Sequence, residues 1–407
     1  MRRMEKNRRA AIAVTAGCTL MLLVTGGVVM NVYSAAQPYI LVQNGFSNTQ
    51  TSLIITIRSA FYLASMAVIG GFYKKLGYRA GCAASTLLAA VSFVMFAAAR
   101  SLAAYYAAGA AAGLSCGLGS MVPASILIHR WFRSHRGLAL GICAAGTGLA
   151  TVALSPLLTK LIETQGLKAG FLWTAGFCAL SAAAALLLIR NSPEEAGLAP
   201  VGRETAESPQ EKALHGIRMS RARQALLVTA VALVSGICST GFAHVMTLYV
   251  TAGMDAMRAA SALSVCGLAL MLGKCVCGEL CDRMGTYRAN RIVFGILIGG
   301  CALCTLAPGK NVWGMYAAAA CLGFGVSLNT VGVTIWASDL STHETYDRTL
   351  RLFESAYGAG CLAMSFVPGV VADATGSYAP AYALFGGVLG ACLLVLQSTY
   401  RLARKKK

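Results

Sequence analysis

Apolar segments as long as one membrane crossing, roughly twenty residues, recur along the whole chain and are separated by short polar stretches. A helix rises about 1.5 Å per residue, so each segment can span the roughly 30 Å hydrocarbon core of a bilayer. Only 12% of the 407 residues are charged, whereas a soluble domain carries about a quarter. The sequence therefore predicts an all-α polytopic membrane protein.

The apolar segments form two sets of six, which predicts about twelve transmembrane helices. They lie near 11–33, 51–70, 82–99, 103–128, 138–158, 168–189, 225–250, 258–278, 290–306, 311–336, 351–371 and 378–397. This arrangement predicts two pseudo-symmetric six-helix bundles, 1–190 and 223–407, the second ending in a basic tail. The polar stretch 191–222 between them is expected to be a cytoplasmic linker loop and a flexible tether.

The positive charges are concentrated in alternate loops. Clusters of Lys and Arg precede the first segment, follow the second and the fourth, and fill the linker and the tail, whereas the other loops hold single cations or none. Because cytoplasmic loops retain Lys and Arg, both termini are expected in the cytoplasm and the chain in the cytoplasmic membrane. This pattern accounts for the net charge of +19, so no nucleic-acid partner is expected.

The fifteen cysteines are scattered through the apolar segments, where cysteine behaves as a small hydrophobe. Cys275, Cys277 and Cys281 are closely spaced, but no histidine accompanies them. No metal ion and no cofactor are expected.

A charged turn follows the eighth segment. Its residues are Gly278, Asp282, Arg283, Gly285 and Arg288. Small residues let two membrane helices approach closely, and the carboxylate can hold a facing guanidinium. A second copy of the turn, in the first half of the chain, consists of Gly70, Lys74, Lys75 and Arg79.

Both turns resemble the loop signature of the major facilitator superfamily of transporters, which reads roughly G-x-x-x-D-R-x-G-x-R. The resemblance implies the MFS fold, a duplication with one motif per half, and a gating or loop role for these residues. It also implies alternating access, in which one bundle rocks against the other around a central site.

The stretch HRWFRSHRGLALGICAAGTG, residues 129–148, resembles a narrower branch, that of the oxalate/formate antiporters and monocarboxylate transporters. The matching positions are Trp131, Phe132, Arg136, Gly137, Ala139, Gly141, Ile142, Ala145 and Gly146. In this branch an arginine of the eighth helix is implicated in binding the substrate carboxylate, and Lys274 stands at that place. A lysine offers a point charge without the forked geometry of guanidinium. No lysine lies deep in the eleventh helix, which disfavours a dicarboxylate such as oxalate.

Arg58 is a charge within the second apolar segment, about 18 Å along the helix from Gly70. Placing a charged side chain in the bilayer costs about 3 kcal/mol or more, so a charge at this position indicates a structural or functional role. No Asp or Glu occurs from Lys6 through Ile162. Arg58 is therefore a candidate for substrate binding or gating, and the alternative is a structural role bonded to carbonyls and hydroxyls. For Lys274 the alternative is snorkelling to the nearer surface.

Several polar residues inside other segments are further candidates. His244 could take up a proton or be a hydrogen-bonded filler of the core. Tyr33, Gln37 and Asn329 could supply neutral hydrogen bonds to a ligand, Tyr33 and Gln37 being one turn apart. Arg351 and Glu354 could form a local ion pair at the cytoplasmic edge, or a gate.

These features predict a secondary active transporter for a small organic anion, a monocarboxylate, coupled to protons or to a counter-anion. A monomer in the lipid bilayer is expected, and the chain is not expected to be an enzyme. The alternatives are drug or hydrophobic-solute efflux by the same fold and a metabolite sensor that does not transport. The densest polar cluster is predicted to be a solvated cytoplasmic loop, with a metal site as its alternative; it comprises Asp339, His343, Glu344 and Asp347.

Overall fold

The computed structural model of the protein describes residues 2–133, 136–201, 220–306, 311–341 and 345–405. Regular structure in these residues is helical, apart from one isolated β-bridge between Phe132 and Val201. His343 and Glu344 lie outside the described residues, as do most of the predicted linker and the last two residues of the basic tail. The side chains of Arg136, Asp282 and Asp347, and the surroundings of Gly137, lie outside them as well.

Helices and short helical turns carry the chain back and forth. Those before the linker are α1 (Arg2–Leu22), continued by a π-helical turn (Leu23–Asn31) and a 3-10 turn (Val32–Ala35), then α2 (Gln37–Asn44), α3 (Asn48–Ala98), α4 (Leu102–Leu118), α5 (Met121–Trp131), α6 (Arg136–Gln165) and α7 (Leu167–Leu188). Those after it are α8 (Arg221–Thr251), α9 (Ala256–Met284), α10 (Thr286–Leu306), α11 (Val312–Gly325), a 3-10 turn (Val326–Asn329), α12 (Val331–Leu340), α13 (Tyr346–Met364), α14 (Val367–Thr375) and α15 (Ala379–Lys405).

The predicted number of crossings is confirmed. Eleven runs of the described residues are long and apolar enough to cross a membrane. One of them, α3, has 51 residues, which at about 1.5 Å per residue is more than twice the thickness of a bilayer core. It is divided at Gly77, whose φ of 73° and ψ of 168° are not helical, so the chain has twelve crossings in its described part.

Gly285, in the corresponding loop of the second half, has nearly the same conformation, with φ 78° and ψ 149°. A side chain strongly disfavours such a positive φ, and glycine does not. The two loops thus share a backbone geometry, although their charged residues differ.

Four of the crossings are interrupted. The first contains the π-helical and 3-10 turns, the fourth breaks between α4 and α5, the tenth contains the 3-10 turn Val326–Asn329, and the eleventh breaks between α13 and α14. Broken helices are tolerated in a membrane only where protein or water satisfies the freed backbone groups. Because the fourth and tenth crossings occupy corresponding positions in the two halves, their breaks indicate a functional interior.

The chain divides into two compact units. The first comprises Met1–Ala36 with Ala60–Gln210, and the second comprises Gln37–Ser59 with Glu211–Lys407. The sequence division at 190 and 223 assigns all of α2 and α3 to the first bundle. The packing instead places α2 and the first part of α3 with the second unit.

The beginning of the predicted linker is held against the first unit, and so the expectation of a flexible tether fails for residues 191–201. Val201 accepts a hydrogen bond from the Arg133 amide and donates one to the Trp131 carbonyl, both at 2.8 Å. The fully buried Trp131 donates from its indole N–H to the Arg190 carbonyl at 3.3 Å. In the same stretch, hydrogen bonds from its own backbone and from Ser192, with the nearby Arg130 charge, lower the pKa of Glu194.

Glycine residues allow the backbones of neighbouring helices in the second unit to come into direct contact. A Cβ built at Gly360 of α13 would lie 1.8 Å from the carbonyl oxygen of Ala232 in α8. In lipid, close backbone packing of this kind is a main source of helix association.

Substituting Gly360→Ala is therefore expected to destabilise the protein by about 1–3 kcal/mol, because α8 and α13 must separate to admit the methyl group. Thermal unfolding in detergent checks this. Gly295→Ala is the control, since nothing lies within 4 Å of its built Cβ and alanine favours the helix. Equal melting temperatures for the two variants would contradict the packing argument.

Candidate functional site

Arg58 lies in the part of α3 that packs with the second unit, and only 5% of it is exposed. It is close enough to His244 of α8 and Cys361 of α13 to act on both electrostatically. The structure therefore brings two of the predicted site residues, Arg58 and His244, into one neighbourhood.

His244 is fully buried and both of its ring nitrogens are engaged. Nδ1 lies 3.1 Å from the Thr240 carbonyl oxygen, and Nε2 lies 3.1 Å from the Ser52 hydroxyl. A carbonyl can only accept, so Nδ1 carries a proton; in the neutral ring Nε2 then accepts from the Ser52 hydroxyl, and in the charged ring it would donate to it. His244 is thus a hydrogen-bonded member of the core in this arrangement, with the Tyr378 ring 6.0 Å away.

The first turns of α3 present a row of polar side chains to other helices of the second unit. Asn48, Ser52 and Thr56 are spaced by four residues and therefore lie on one face of the helix. We call these three residues the α3 polar row. Ser52 bonds to His244, and the Thr56 hydroxyl accepts from Ser365 at 2.8 Å.

The third contact of the α3 polar row is made by Asp373 of α14. Its carboxylate accepts hydrogen bonds from the Asn48 amide N–H at 2.9 Å, the Asn48 side chain at 2.8 Å and the Thr49 amide N–H at 2.8 Å. Backbone N–H groups in the first turn of a helix have no partner within it, and a negative charge there is stabilising. Asp373 therefore caps α3 from a different helix.

Sequence reasoning missed Asn48, Ser52, Thr56 and Asp373. The spacing of the α3 polar row was available as a signal, since three polar residues recur at every fourth position, although other polar residues lie between Asn48 and Ser52. Their partners were not, because Asp373 is more than three hundred positions away.

Lys274 lies on α9, where the backbone of α11 approaches closely, a Cβ built at the preceding Gly273 lying 2.9 Å from the Phe324 carbonyl oxygen. The lysine is partly exposed. Among the residues that the structure describes, it makes neither an ion pair nor a hydrogen bond, and so it is not joined to Arg58 or His244 by one. Its ammonium group is available to an anion.

Two buried amides of the second unit have side-chain atoms without a hydrogen-bond partner among the described residues. Gln37, at the start of α2, is fully buried, and neither atom of its side-chain amide has a hydrogen-bond partner among the described residues. Asn329 ends the 3-10 turn of the tenth crossing, is 6% exposed, and its buried Oδ1 has no partner there either. Buried polar groups are normally bonded, so both amides are suited to a ligand or to ordered water.

Tyr33 belongs to the first unit, in the 3-10 turn that ends at Ala35. It is 2% exposed, and its ring centroid lies 5.1 Å from that of Phe96. Tyr33 is therefore a packing residue of the first unit, whereas Gln37 belongs to the second. A 3-10 turn, and not the α-helical turn implied by the predicted shared face, leads from Tyr33 toward Gln37.

The predicted pair of Arg351 and Glu354 is not formed. Both residues are exposed on α13, and no ion pair joins them. In the described part of the last polar cluster, Asp339 accepts a hydrogen bond from the Tyr400 hydroxyl at 2.9 Å. The described residues contain no group of three or more His, Cys, Asp or Glu side chains that could hold a metal.

The charged turn of the second half contains an ion pair that the sequence analysis did not predict. Arg283 pairs with Glu279, one turn before it on α9, and both side chains are largely exposed. Exposed pairs of this kind contribute little to stability. Arg288 is exposed, and the backbone at Gly278 has open space beside it.

In the first half, Lys74 and Lys75 are exposed and the backbone at Gly70 also has open space beside it. Arg79 is more closely held. Its Nε donates to the Leu186 carbonyl and its amide N–H donates to Asn191 Oδ1, both at 2.8 Å. Gly77 and Asn191, which sequence reasoning did not select, thus set the shape of this turn.

Comparisons with known proteins agree with this architecture. A family model described as Major Facilitator Superfamily matches residues 18–310. Monocarboxylate transporter 12 of Mus musculus is 23% identical over 405 residues, covering 92% of this chain and 82% of the relative. The oxalate:formate antiporter of Oxalobacter formigenes is 37% identical over 70 residues, which is 17% of this chain and 16% of the relative.

Solved structures give the same fold. The nucleoside transporter NupG superposes with a TM-score of 0.76 at 12% identity, over 96% of this chain and 99% of that chain. A bacterial homologue of the lysosomal transporter Spinster gives a TM-score of 0.67 at 13% identity, over 97% and 96% of the two chains. With a family model that spans more than half of its length, the chain belongs to the major facilitator superfamily of membrane transporters.

Proposed function

We propose that the chain is a secondary active transporter that moves a small organic anion, a monocarboxylate, across the cytoplasmic membrane by alternating access. The observation that carries the proposal is Arg58, a guanidinium that is 5% exposed in a membrane-crossing helix. Ionisable groups at such depth are costly and are usually functional. The fork of donors on guanidinium matches the two oxygens of one carboxylate.

Lys274 supports the same substrate class. It provides a second positive charge in the second unit and has no ion-pair partner among the described residues. An anionic solute would offset part of the cost of holding this ammonium group in a medium of low dielectric constant. Gln37 and Asn329 would add neutral hydrogen bonds for the remainder of a small solute. Relatives named for monocarboxylate transport and for oxalate and formate exchange add to this support.

The coupling partner is a proton or a second anion. In the arrangement described, both ring nitrogens of His244 are bonded and the ring is fully buried, where a charged imidazolium without an acidic partner is costly, so we take His244 as neutral here. If the contact with Ser52 is broken during transport, Nε2 becomes free to bind a proton. If the coupling partner is a proton, His244 is the proposed carrier, and it is loaded only when the α3 polar row has moved away.

The same contacts suggest how one side of the transport path closes. The α3 polar row joins α3 to α8, α13 and α14 through His244, Ser365 and Asp373. In the topology expected from the positive charges, this is the outer end of α3. Opening that end requires all three contacts to break, so we propose that they form the outer closure of the transport cycle.

Arg58→Gln and Lys274→Gln are each expected to fold, and at least one of them is expected to abolish transport. Loss of a charge-assisted hydrogen bond of about 1.5–3 kcal/mol lowers affinity roughly ten- to a hundredfold. Counterflow in proteoliposomes measures this with formate, acetate, lactate and pyruvate, and with uridine as a neutral solute. Lys160→Gln is the matched control, since it removes an exposed cation of α6.

Normal transport by both variants would refute the anion site. Counterflow of uridine but of no carboxylate would favour a nucleoside, which is the substrate named for the structural neighbour NupG. Binding of a carboxylate without flux would indicate a sensor. Transport of hydrophobic cations alone would indicate drug efflux.

The outer closure is tested by a disulfide between Thr56→Cys and Ser365→Cys, whose hydroxyl oxygens lie 2.8 Å apart. Side chains this close are within reach of a disulfide. Oxidation of the double variant is expected to lower counterflow at least tenfold, and dithiothreitol is expected to restore it.

Each single variant and the wild type, treated in the same way, control for the fifteen native cysteines. Peptide mass spectrometry verifies the bond. A cross-linked protein that transports at the wild-type rate would show that the contact between Thr56 and Ser365 persists throughout the cycle.

A further inference from the structure

Two cavities of the first unit adjoin helix α7. The first is polar, has a volume of about 300 Å³, and is lined by Arg79, Leu187, Arg190, Asn191, Ser192 and Glu195. The second is apolar and has a volume of about 570 Å³. Its lining includes Leu157 and Leu161 of α6 and Trp173, Phe177 and Leu180 of α7. Neither cavity contains a residue proposed for anion transport.

One face of α7 connects the two cavities. Trp173, Leu180 and Leu187 are spaced by seven residues, which is two helical turns, so their side chains lie in one line. They are 62%, 74% and 75% exposed. Large apolar side chains this exposed on a membrane helix contact hydrocarbon. The apolar line therefore runs from the apolar cavity, at Trp173 and Leu180, to the polar cavity, at Leu187.

The polar cavity is built from positioned groups. Arg79 is fixed by its bond to the Leu186 carbonyl, and its amide N–H holds Asn191. Asn191 in turn donates from Nδ2 to Glu195 Oε2 at 3.1 Å, which fixes the carboxylate. The side chain of Arg190 makes no hydrogen bond or ion pair with a described residue. The cavity thus offers the guanidinium of Arg190, the guanidinium of Arg79, whose Nε is already bonded to the Leu186 carbonyl, and the carboxylate of Glu195.

The position of the polar cavity along α7 suits a lipid headgroup. The helix ends at Leu188, where the apolar segment gives way to charged residues. Leu180 lies about 10 Å along the axis from Leu187, and Phe177 about 15 Å, which is half of the roughly 30 Å hydrocarbon core. A chain that begins beside Leu187 therefore reaches the apolar cavity at the depth where the acyl chains of one leaflet end.

We infer that this face of the first unit binds one phospholipid, with its headgroup in the polar cavity and an acyl chain along the apolar line into the apolar cavity. The two arginines suit the phosphate, and Glu195 suits a primary ammonium group. A headgroup that contains both is phosphoethanolamine. A choline headgroup has no N–H to donate to Glu195, and a glycerol headgroup carries no positive charge.

The headgroup part is tested by native mass spectrometry of the purified protein with equal amounts of phosphatidylethanolamine, phosphatidylcholine and phosphatidylglycerol of the same acyl chains. One phosphatidylethanolamine is expected to be retained in preference to phosphatidylcholine. Arg190→Gln is expected to lower its retention about tenfold, as for the loss of one charged partner. Arg100→Gln, which removes an exposed cation near a different helix end, is the matched control.

Glu195→Gln tests the contact with the ammonium group of the headgroup independently of the contact with its phosphate. The glutamine oxygen can still accept from Asn191, but the charge opposite the ammonium group is lost. This variant is expected to retain phosphatidylethanolamine and phosphatidylglycerol equally.

The acyl chain is tested at Gly176, which lines the apolar cavity and has nothing within 4 Å of its built Cβ. Gly176→Leu is expected to fill the cavity and to lower retention of long-chain phosphatidylethanolamine, but not of a short-chain form. Gly295→Leu, which also enters open space, is the control.

Three results would overturn the inference. The first is equal retention by wild type, Arg190→Gln and Gly176→Leu. The second is equal retention of phosphatidylcholine and phosphatidylethanolamine by the wild type. The third is displacement of the lipid by inorganic phosphate, which would indicate a site for free anions. If Arg190→Gln fails to fold, the comparison of Gly176→Leu with its control decides the matter.

Discussion

Hydrocarbon cannot form hydrogen bonds with the backbone, and this one constraint determines where the chain is helical and where its helices can be interrupted. Each crossing must be a helix, and a helix can be interrupted only where protein or water replaces the missing bonds. The 3-10 turn Val326–Asn329 and the break between α4 and α5 are therefore informative. The amide oxygen of Asn329, which has no hydrogen-bond partner among the described residues, lies at one of them. The constraint that makes the fold regular is thus also the reason why a solute site is proposed at such a break.

Local patterns were sufficient to predict the crossings, because hydropathy over twenty residues reports directly on burial in lipid. They also identified Gly285, since glycine is the residue that accepts its backbone conformation. They failed where a partner is distant in sequence. Asp373 caps Asn48 from another helix, and no periodicity within α3 could reveal that. The pairing of Arg351 with Glu354 was predicted from spacing alone, and spacing does not force two exposed side chains to meet.

The two charged turns show what the halves have in common. Lys74 and Lys75 stand where the second half has Asp282 and Arg283, yet Gly77 and Gly285 have nearly the same backbone conformation, extended in ψ and with a positive φ. The feature that the two turns share is the backbone conformation at their glycine, which sets the direction of the helix after the turn relative to the helix before it. Each turn then has its own electrostatic contacts. The first uses Asn191 and Arg79 to hold the start of the linker, and the second pairs Glu279 with Arg283.

Helix α3 is unbroken from Asn48 to Gly77. Its hydrogen bonds cannot be exchanged for bonds to water within lipid, so it behaves as a stiff rod about 40 Å long. The α3 polar row lies at one end of this helix, and Lys74 and Lys75 lie at the other, just before the break at Gly77. A single continuous helix therefore connects the polar contacts at one side of the bilayer to the charged turn at the other.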